Sequence, residues 1–315
     1  MFNTQYQLMA NVVTFIAGNF QRMKKMISCL PVVLLLTSCE KSITFKLDET
    51  ASNLVVDANI ENGQPPVVVL SNSLNYFSKI SPEILLGSFV HGASITISDG
   101  VKQQVLKEYS YKTAAFINIY YYTVDSSMQN SFVGAFSKTY TMQIKLGDKI
   151  YNSSTTIPAL TKKVDSLWWR KSPGNPDTSK VILMARVTDP PGFGNYIRYY
   201  TRTGNGPFLP GLNSVFDDQI IDGTTYDIEV EHGIDRNTKI DPAVYSFFNR
   251  GDTVTVKFTN IDKTTFDFWR TMEYGYSSIG NPFATPTKVL GNIQGGALGY
   301  FGGYTVQYKS VIIPK

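Results

Sequence analysis

Both cysteines of the chain, Cys29 and Cys39, lie in one N-terminal stretch, Met23–Glu40, and that placement constrains the fold more than any other feature. Lys24 and Lys25 follow Met23, an apolar run extends from Met26 to Leu36, and Leu36-Thr37-Ser38-Cys39 closes it. A positive start, a short apolar run and small residues before a cut site make a secretory signal. The run is too short to cross a bilayer core of ~30 Å as a helix. Its last four residues have the form of a bacterial lipobox, in which the final cysteine carries diacylglycerol on its sulfur and becomes the first mature residue. Thr37 and Ser38 are small enough to give a peptidase access to the backbone. Residues 1–22 are read as preceding the true start at Met23, residues 23–38 as the signal peptide, and residues 39–52 as a lipidated tether. Cys29 leaves with the signal and Cys39 is acylated. The mature chain is therefore expected to have no disulfide, although its destination would permit one. Core packing alone must then hold the fold.

The formal charge of +4 largely belongs to the signal: residues 1–38 carry Arg22, Lys24 and Lys25 and no acidic residue, which leaves +1 on the mature chain. A nucleic-acid binder would need a concentrated basic face, and none is evident. Charged residues are sparse and tyrosines plentiful (19), a balance that favours β-structure over helix bundles.

The chain from residue 53 onward reads as short strands. Asn53–Ile60 and Val67–Leu70 flank Glu61-Asn62-Gly63, a turn signal, and predict a paired unit. Ala93–Ser98 alternates apolar and polar residues and ends in Asp99-Gly100. Phe116–Tyr122 is ambiguous between a strand and a sticky loop. Tyr140, Met142, Ile144 and Leu146 share one face, and Gly147-Asp148 turns the chain into Lys149–Tyr151, the clearest hairpin of the first half. Val164–Lys171 follows, with Trp168 and Trp169 expected on opposite faces. Lys180–Val187 is apolar enough to be a central strand. Asn195–Thr203, Tyr226–Val230 and Thr253–Phe258 are further strands, and Tyr304–Tyr308 is the last, after a glycine-rich stretch from Gly291 to Gly303. Only one segment has a helical period. Asp262 is a good N-cap, and Phe266, Trp269, Met272 and Tyr276 recur at three- and four-residue steps. The expected fold is mainly β, with two β-sandwich-like domains: an Ig-like sandwich over 53–158, and a β-rich domain over 159–315 covered by one amphipathic helix at 262–276.

Chemistry is harder to find. His91 and His232 are the only histidines and read as loop residues, so a histidine-rich zinc site is excluded. No G-x-S-x-G elbow and no nucleotide fingerprint occurs. Asp217, Asp218 and Asp222 form one acidic cluster that lacks the EF-hand pattern; a turn whose carboxylates cap backbone N–H groups is the preferred reading over Ca²⁺. The sequence thus points to no catalytic, cofactor-binding or metal-ligating residue. The tyrosine clusters Tyr120–Tyr122 and Tyr196, Tyr199 and Tyr200 suit either a recognition surface or sandwich packing.

A resemblance covers nearly all of the mature chain. It is carried by the order of Leu54-Val55-Val56 with Asn62-Gly63, Thr156-Ile157-Pro158 before Val164-Asp165-Ser166, Thr188-Asp189-Pro190-Pro191-Gly192, and Phe216-Asp217-Asp218-Gln219 with Ile221-Asp222-Gly223. Gly251-Asp252-Thr253-Val254, Asn281-Pro282-Phe283-Ala284 and Gly296–Phe301 continue it. Together these resemble the DUF4249 lipoproteins of Bacteroidota. The resemblance implies an outer-membrane, lipid-anchored accessory of a TonB-dependent receptor in nutrient uptake, and it transfers no catalytic residue. The expected function is accordingly non-enzymatic, with a stand-alone adhesin or glycan-binding module as the alternative and a secreted hydrolase third. Expected partners are outer-membrane lipid, through Cys39, and a receptor barrel. The leaflet is open, since Glu40 is the only acidic residue before Lys41. Tyr76, Phe77, Tyr300 and Phe301, all near turn signals, are the expected contacts.

Overall fold

The computed structural model describes residues 52–315 apart from 75–80, 114–116, 126, 128–131, 174, 237, 242, 243, 280, 282 and 286. The first half contains β1 (Leu54–Glu61), β2 (Val67–Asn72), α1 (Pro82–Ser88), β3 (Ser94–Ser98), β4 (Gln103–Val105), β5 (Lys107–Lys112), β6 (Asn118–Thr123), β7 (Lys138–Leu146) and β8 (Lys149–Ile157). The second half contains β9 (Lys163–Lys171), β10 (Lys180–Thr188), β11 (Tyr196–Thr203), β12 (Leu209–Phe216), β13 (Thr225–Val230), β14 (Phe248–Asn249), β15 (Thr253–Ile261), α2 (Lys263–Ser277) and β16 (Leu298–Ile312).

The fold is mainly β and sandwich-like, built on one long sheet of order β12-β11-β15-β16-β1-β2-β6-β5. Two four-stranded sheets pack against it. Strands β4-β3-β7-β8 face the β1–β2 end, where Val56, Ala58 and Ile60 alternate inward and meet Ile95, Ile97, Tyr140, Met142 and Ile144. The sheet of β9, β10, β13 and β14 faces the β11–β15 end, where Val181, Leu183, Ala185 and Val187 meet Ile197, Val254, Val256 and Phe258. Each fully buried Val, Leu, Ile or Phe side chain contributes about 1.5–3 kcal/mol. These two cores hold the described fold together without a disulfide, since no cysteine lies among the described residues.

The two sandwiches are not separate domains. Strand β16, the last of the chain, pairs in parallel with β1 from Val55↔Leu298 to Glu61↔Tyr304 and antiparallel with β15 along its other edge. Residues 51–315 accordingly form one compact unit, and the boundary expected near 158–159 does not divide it. A sequence reading pairs neighbouring strands; here the second edge of β1 is completed by the opposite end of the chain.

The glycine-rich stretch belongs partly to this strand. Gly299 has φ +100, and a Cβ there would lie 1.9 Å from the Val56 carbonyl oxygen; one at Gly303 would lie 2.6 Å from the Thr156 oxygen. The missing side chains let β16 run close under β1 and β8, so it begins at Leu298 rather than Tyr304. The hairpin β7–β8 turns at Gly147 with φ 57, as the sequence predicts. Trp169 packs on the second core while Trp168 lies under Arg186 on the outer face, the two-sided arrangement a strand imposes.

Helix α2 starts where expected: Asp262 accepts the N–H of Thr265 at 2.8 Å. Its apolar stripe covers β11, β12 and β16 of the long sheet. Phe268 stacks on Tyr300 with ring centroids 4.2 Å apart, and Trp269 donates to the Tyr304 hydroxyl at 3.0 Å. The buried Arg198 guanidinium lies 3.3 Å from the Trp269 ring centre, which makes Trp269 a core anchor. Tyr276 leaves the expected stripe, exposed and donating to the Arg236 carbonyl at 2.7 Å.

Candidate functional site

The second sandwich is incompletely filled. Between β9–β10–β13 and β11–β15, under α2, lies a cavity of about 610 Å³. Its inner wall is the buried set Val187, Ile197, Val230, Val256 and Phe258. The helix contributes Phe266, Arg270, Glu273, Tyr274 and Ser277, which recur at helical steps along one face. The loop after β12 forms the lip, where Ile220 is 97% exposed.

A few polar groups edge this apolar space. Glu273 is buried and takes the Ser214 N–H at 3.0 Å and the Ser214 hydroxyl, with Arg236 Nη2 at 3.7 Å. Arg270 faces Asp217 across 4.0 Å at the mouth. Tyr199, held against Gly211, has its hydroxyl pushed well above the usual phenol range by burial, with the charge of Glu231 adding to it. Such a wall can hold an apolar molecule and orient one polar end, within the range of about 300–1,000 Å³ typical of small-molecule sites.

The acidic cluster is rearranged by the fold. Asp217 turns toward Arg270, and Asp189 takes its place beside Asp218 and Asp222, with one oxygen of each within 4.8 Å of the others. Asp218 accepts from Gly194 N at 3.1 Å, Asn195 N at 2.8 Å and Asn195 Nδ2 at 3.2 Å. Burial raises its pKa, but the Asn195 and Gly194 donors outweigh that and hold it below the usual carboxylate range. Asp222 accepts from Gly192 N at 2.6 Å, and Asp189 Oδ2 from Gly223 N at 3.2 Å. These carboxylates clamp the Asp189–Asn195 turn, in line with the capping reading. The cation among them is Lys162, whose Nζ lies 2.9 Å from Asp189 Oδ1 with both side chains fully buried. Sequence reasoning missed both residues. Lys162 stands in an unpatterned connection, and Asp189 reads only as the polar residue before a Pro-Pro break.

The expected contact residues fare differently. Cys39, Tyr76 and Phe77 lie outside the described residues. Tyr300 and Phe301 are buried at 6% and 0% exposure, so they fill cores and offer no contact surface. The glycines beside them mark close strand packing rather than a projecting turn. His91 is half exposed yet paired with Glu108 and set edge-on to Tyr120, 4.5 Å between ring centres. His232 is half buried, its Nδ1 2.6 Å from the Gly233 carbonyl oxygen. Neither lines the cavity. Of the tyrosine clusters, Tyr122 and Tyr199 are buried in the cores.

Comparison with curated proteins gives no match. The family model described as a domain of unknown function, DUF4249, matches residues 40–310, most of the chain. By that match, and in agreement with the order of its motifs, the chain belongs to the DUF4249 family.

Proposed function

We propose that this DUF4249 protein is a non-enzymatic outer-membrane lipoprotein, held by acylated Cys39, that binds an apolar small molecule between its sheets and serves a TonB-dependent receptor. The observation that carries the reading is the cavity of about 610 Å³, walled by Val187, Ile197, Val256 and Phe258 and open beside Ile220. Along its apolar inner wall water finds few hydrogen-bond partners, so an apolar ligand gains by replacing water there. Arg270 and Asp217 at the mouth supply charge to orient a polar end. Among the described residues no helix is long and apolar enough to cross a membrane, and in this reading the acyl chains do the holding. Sharing the membrane plane with a receptor raises the effective concentration of the pair, so a modest interface suffices.

The test is affinity capture of the lipoprotein from native membranes in gentle detergent. Co-purifying proteins and the organic extract are then identified by mass spectrometry. A TonB-dependent barrel together with an apolar small molecule is the expected result. Recovery of the lipoprotein alone at low salt would reject the receptor role and leave a stand-alone binding module.

A further inference from the structure

We infer that Lys162 and Asp189 become joined by an isopeptide bond, a covalent staple at the base of the β9–β10 hairpin. The register runs Val187↔Val164 and Thr188↔Lys163, so Lys162 and Asp189 are the next residues out on adjacent strands. Both side chains are fully buried, and Nζ sits 2.9 Å from Oδ1. Neither atom has a directed hydrogen bond, so three ammonium protons face a single ionic contact. Two charges buried in this way carry a desolvation cost with few hydrogen bonds to offset it. Acyl transfer needs the neutral pair, so the reaction begins with one proton crossing the 2.9 Å contact from Nζ to the carboxylate.

The backbone holds Nζ against the Asp189 carboxylate, 2.9 Å from Oδ1, which makes the step intramolecular. Lys162 is held from both sides, its N–H by Asn260 Oδ1 at 2.9 Å and its carbonyl by Asn260 Nδ2 at 3.0 Å and Gln307 Nε2 at 2.9 Å. On attack by Nζ at Cγ, Oδ2 already receives the Gly223 N–H at 3.2 Å, the donor that would hold the developing oxyanion and then the amide carbonyl. The remaining proton passes directly from nitrogen to the leaving Oδ1, with which Nζ is already in contact at 2.9 Å. The step balances: ammonium and carboxylate give one amide and one water, with N–Cγ formed and Cγ–Oδ1 broken. No oxidant or second substrate is required.

Peptide mass mapping of the purified full-length protein, denatured and digested with trypsin, tests this without regard to N-terminal processing. The expected product is one cross-linked species containing Lys162 and Asp189, lighter by one water than its two component peptides and uncleaved after Lys162. Lys162→Arg should give the two peptides separately. Asp189→Ala, examined in fractions whose circular dichroism matches the wild type, should likewise give only unlinked peptides. Quantitative recovery of unlinked peptides from the folded wild-type protein, with cleavage after Lys162, would overturn the proposal.

Discussion

The side-chain amide of Asn260 pairs with both backbone polar groups of Lys162, accepting its N–H at 2.9 Å and donating to its carbonyl at 3.0 Å. This is the geometry of one rung of a β-ladder, supplied by a side chain. It fixes the connection between β8 and β9, and so between the two sandwiches, onto β15 of the shared sheet.

Asn260→Ala leaves a buried N–H without its partner and weakens the hold on the carbonyl, at a cost of roughly 2–4 kcal/mol. Urea unfolding measures it. In the wild type, fluorescence from Trp168, Trp169 and Trp269, all in the second half, should change in step with far-UV circular dichroism, which reports both sandwiches. Two separated transitions would contradict a fold coupled through one sheet.

Gly299→Ala places a methyl group against the Val56 carbonyl at a φ of +100. The loss expected is at least about 3 kcal/mol, seen as poor soluble yield or a much lower Tm. Gly296→Ala is the control. At φ +90 it has nothing within 4 Å of the added carbon, so only backbone strain of about 1–2 kcal/mol remains. Equal effects at the two sites would show that the β1–β16 contact is not the reason for glycine at 299.

Ala185→Phe projects a ring into the cavity from β10. Binding of an apolar fluorescent probe such as anilinonaphthalene sulfonate should weaken about tenfold, equivalent to ~1.4 kcal/mol. Stability should change by less than about 1.5 kcal/mol, because the ring enters space that is already present. Unchanged probe affinity would place the probe elsewhere.

Asp218 supplies an acid-sensitive contribution. Its folded-state pKa lies below the ordinary value because the Asn195 and Gly194 N–H groups outweigh burial. Below the ordinary carboxylate range the unfolded chain binds more protons, so this stabilisation is present at neutral pH and lost as pH falls through the folded-state value. Asp218→Asn should cost about 1–3 kcal/mol near neutral pH, and the gap to the wild type should narrow as pH falls below the ordinary carboxylate range. A gap independent of pH, by urea titration, would remove the charged hydrogen bonds from the account.

What the sequence determined by itself was local. Period-two alternation placed β3, β7 and β15, because one buried face forces every second residue to be apolar, while a turn signal placed β1 and a continuous apolar run placed β10. Asp262 and the spacing of Phe266, Trp269 and Met272 placed α2 within a residue or two. Short strands of weak pattern, β4, β5, β12 and β14, were not legible, and neither was α1, where Ile84, Leu85 and Leu86 form too short a run to show a helical period. The tertiary structure alone decided that β16 inserts between β1 and β15, which turns two expected domains into one sheet with two covers. It alone exchanged Asp217 for Asp189 in the acidic cluster and brought Lys162 to that carboxylate. The physical reason is common to these cases. Parallel pairing, a cavity between sheets and a buried ion contact depend on residues far apart in the chain, and such contacts leave no period in the sequence between them.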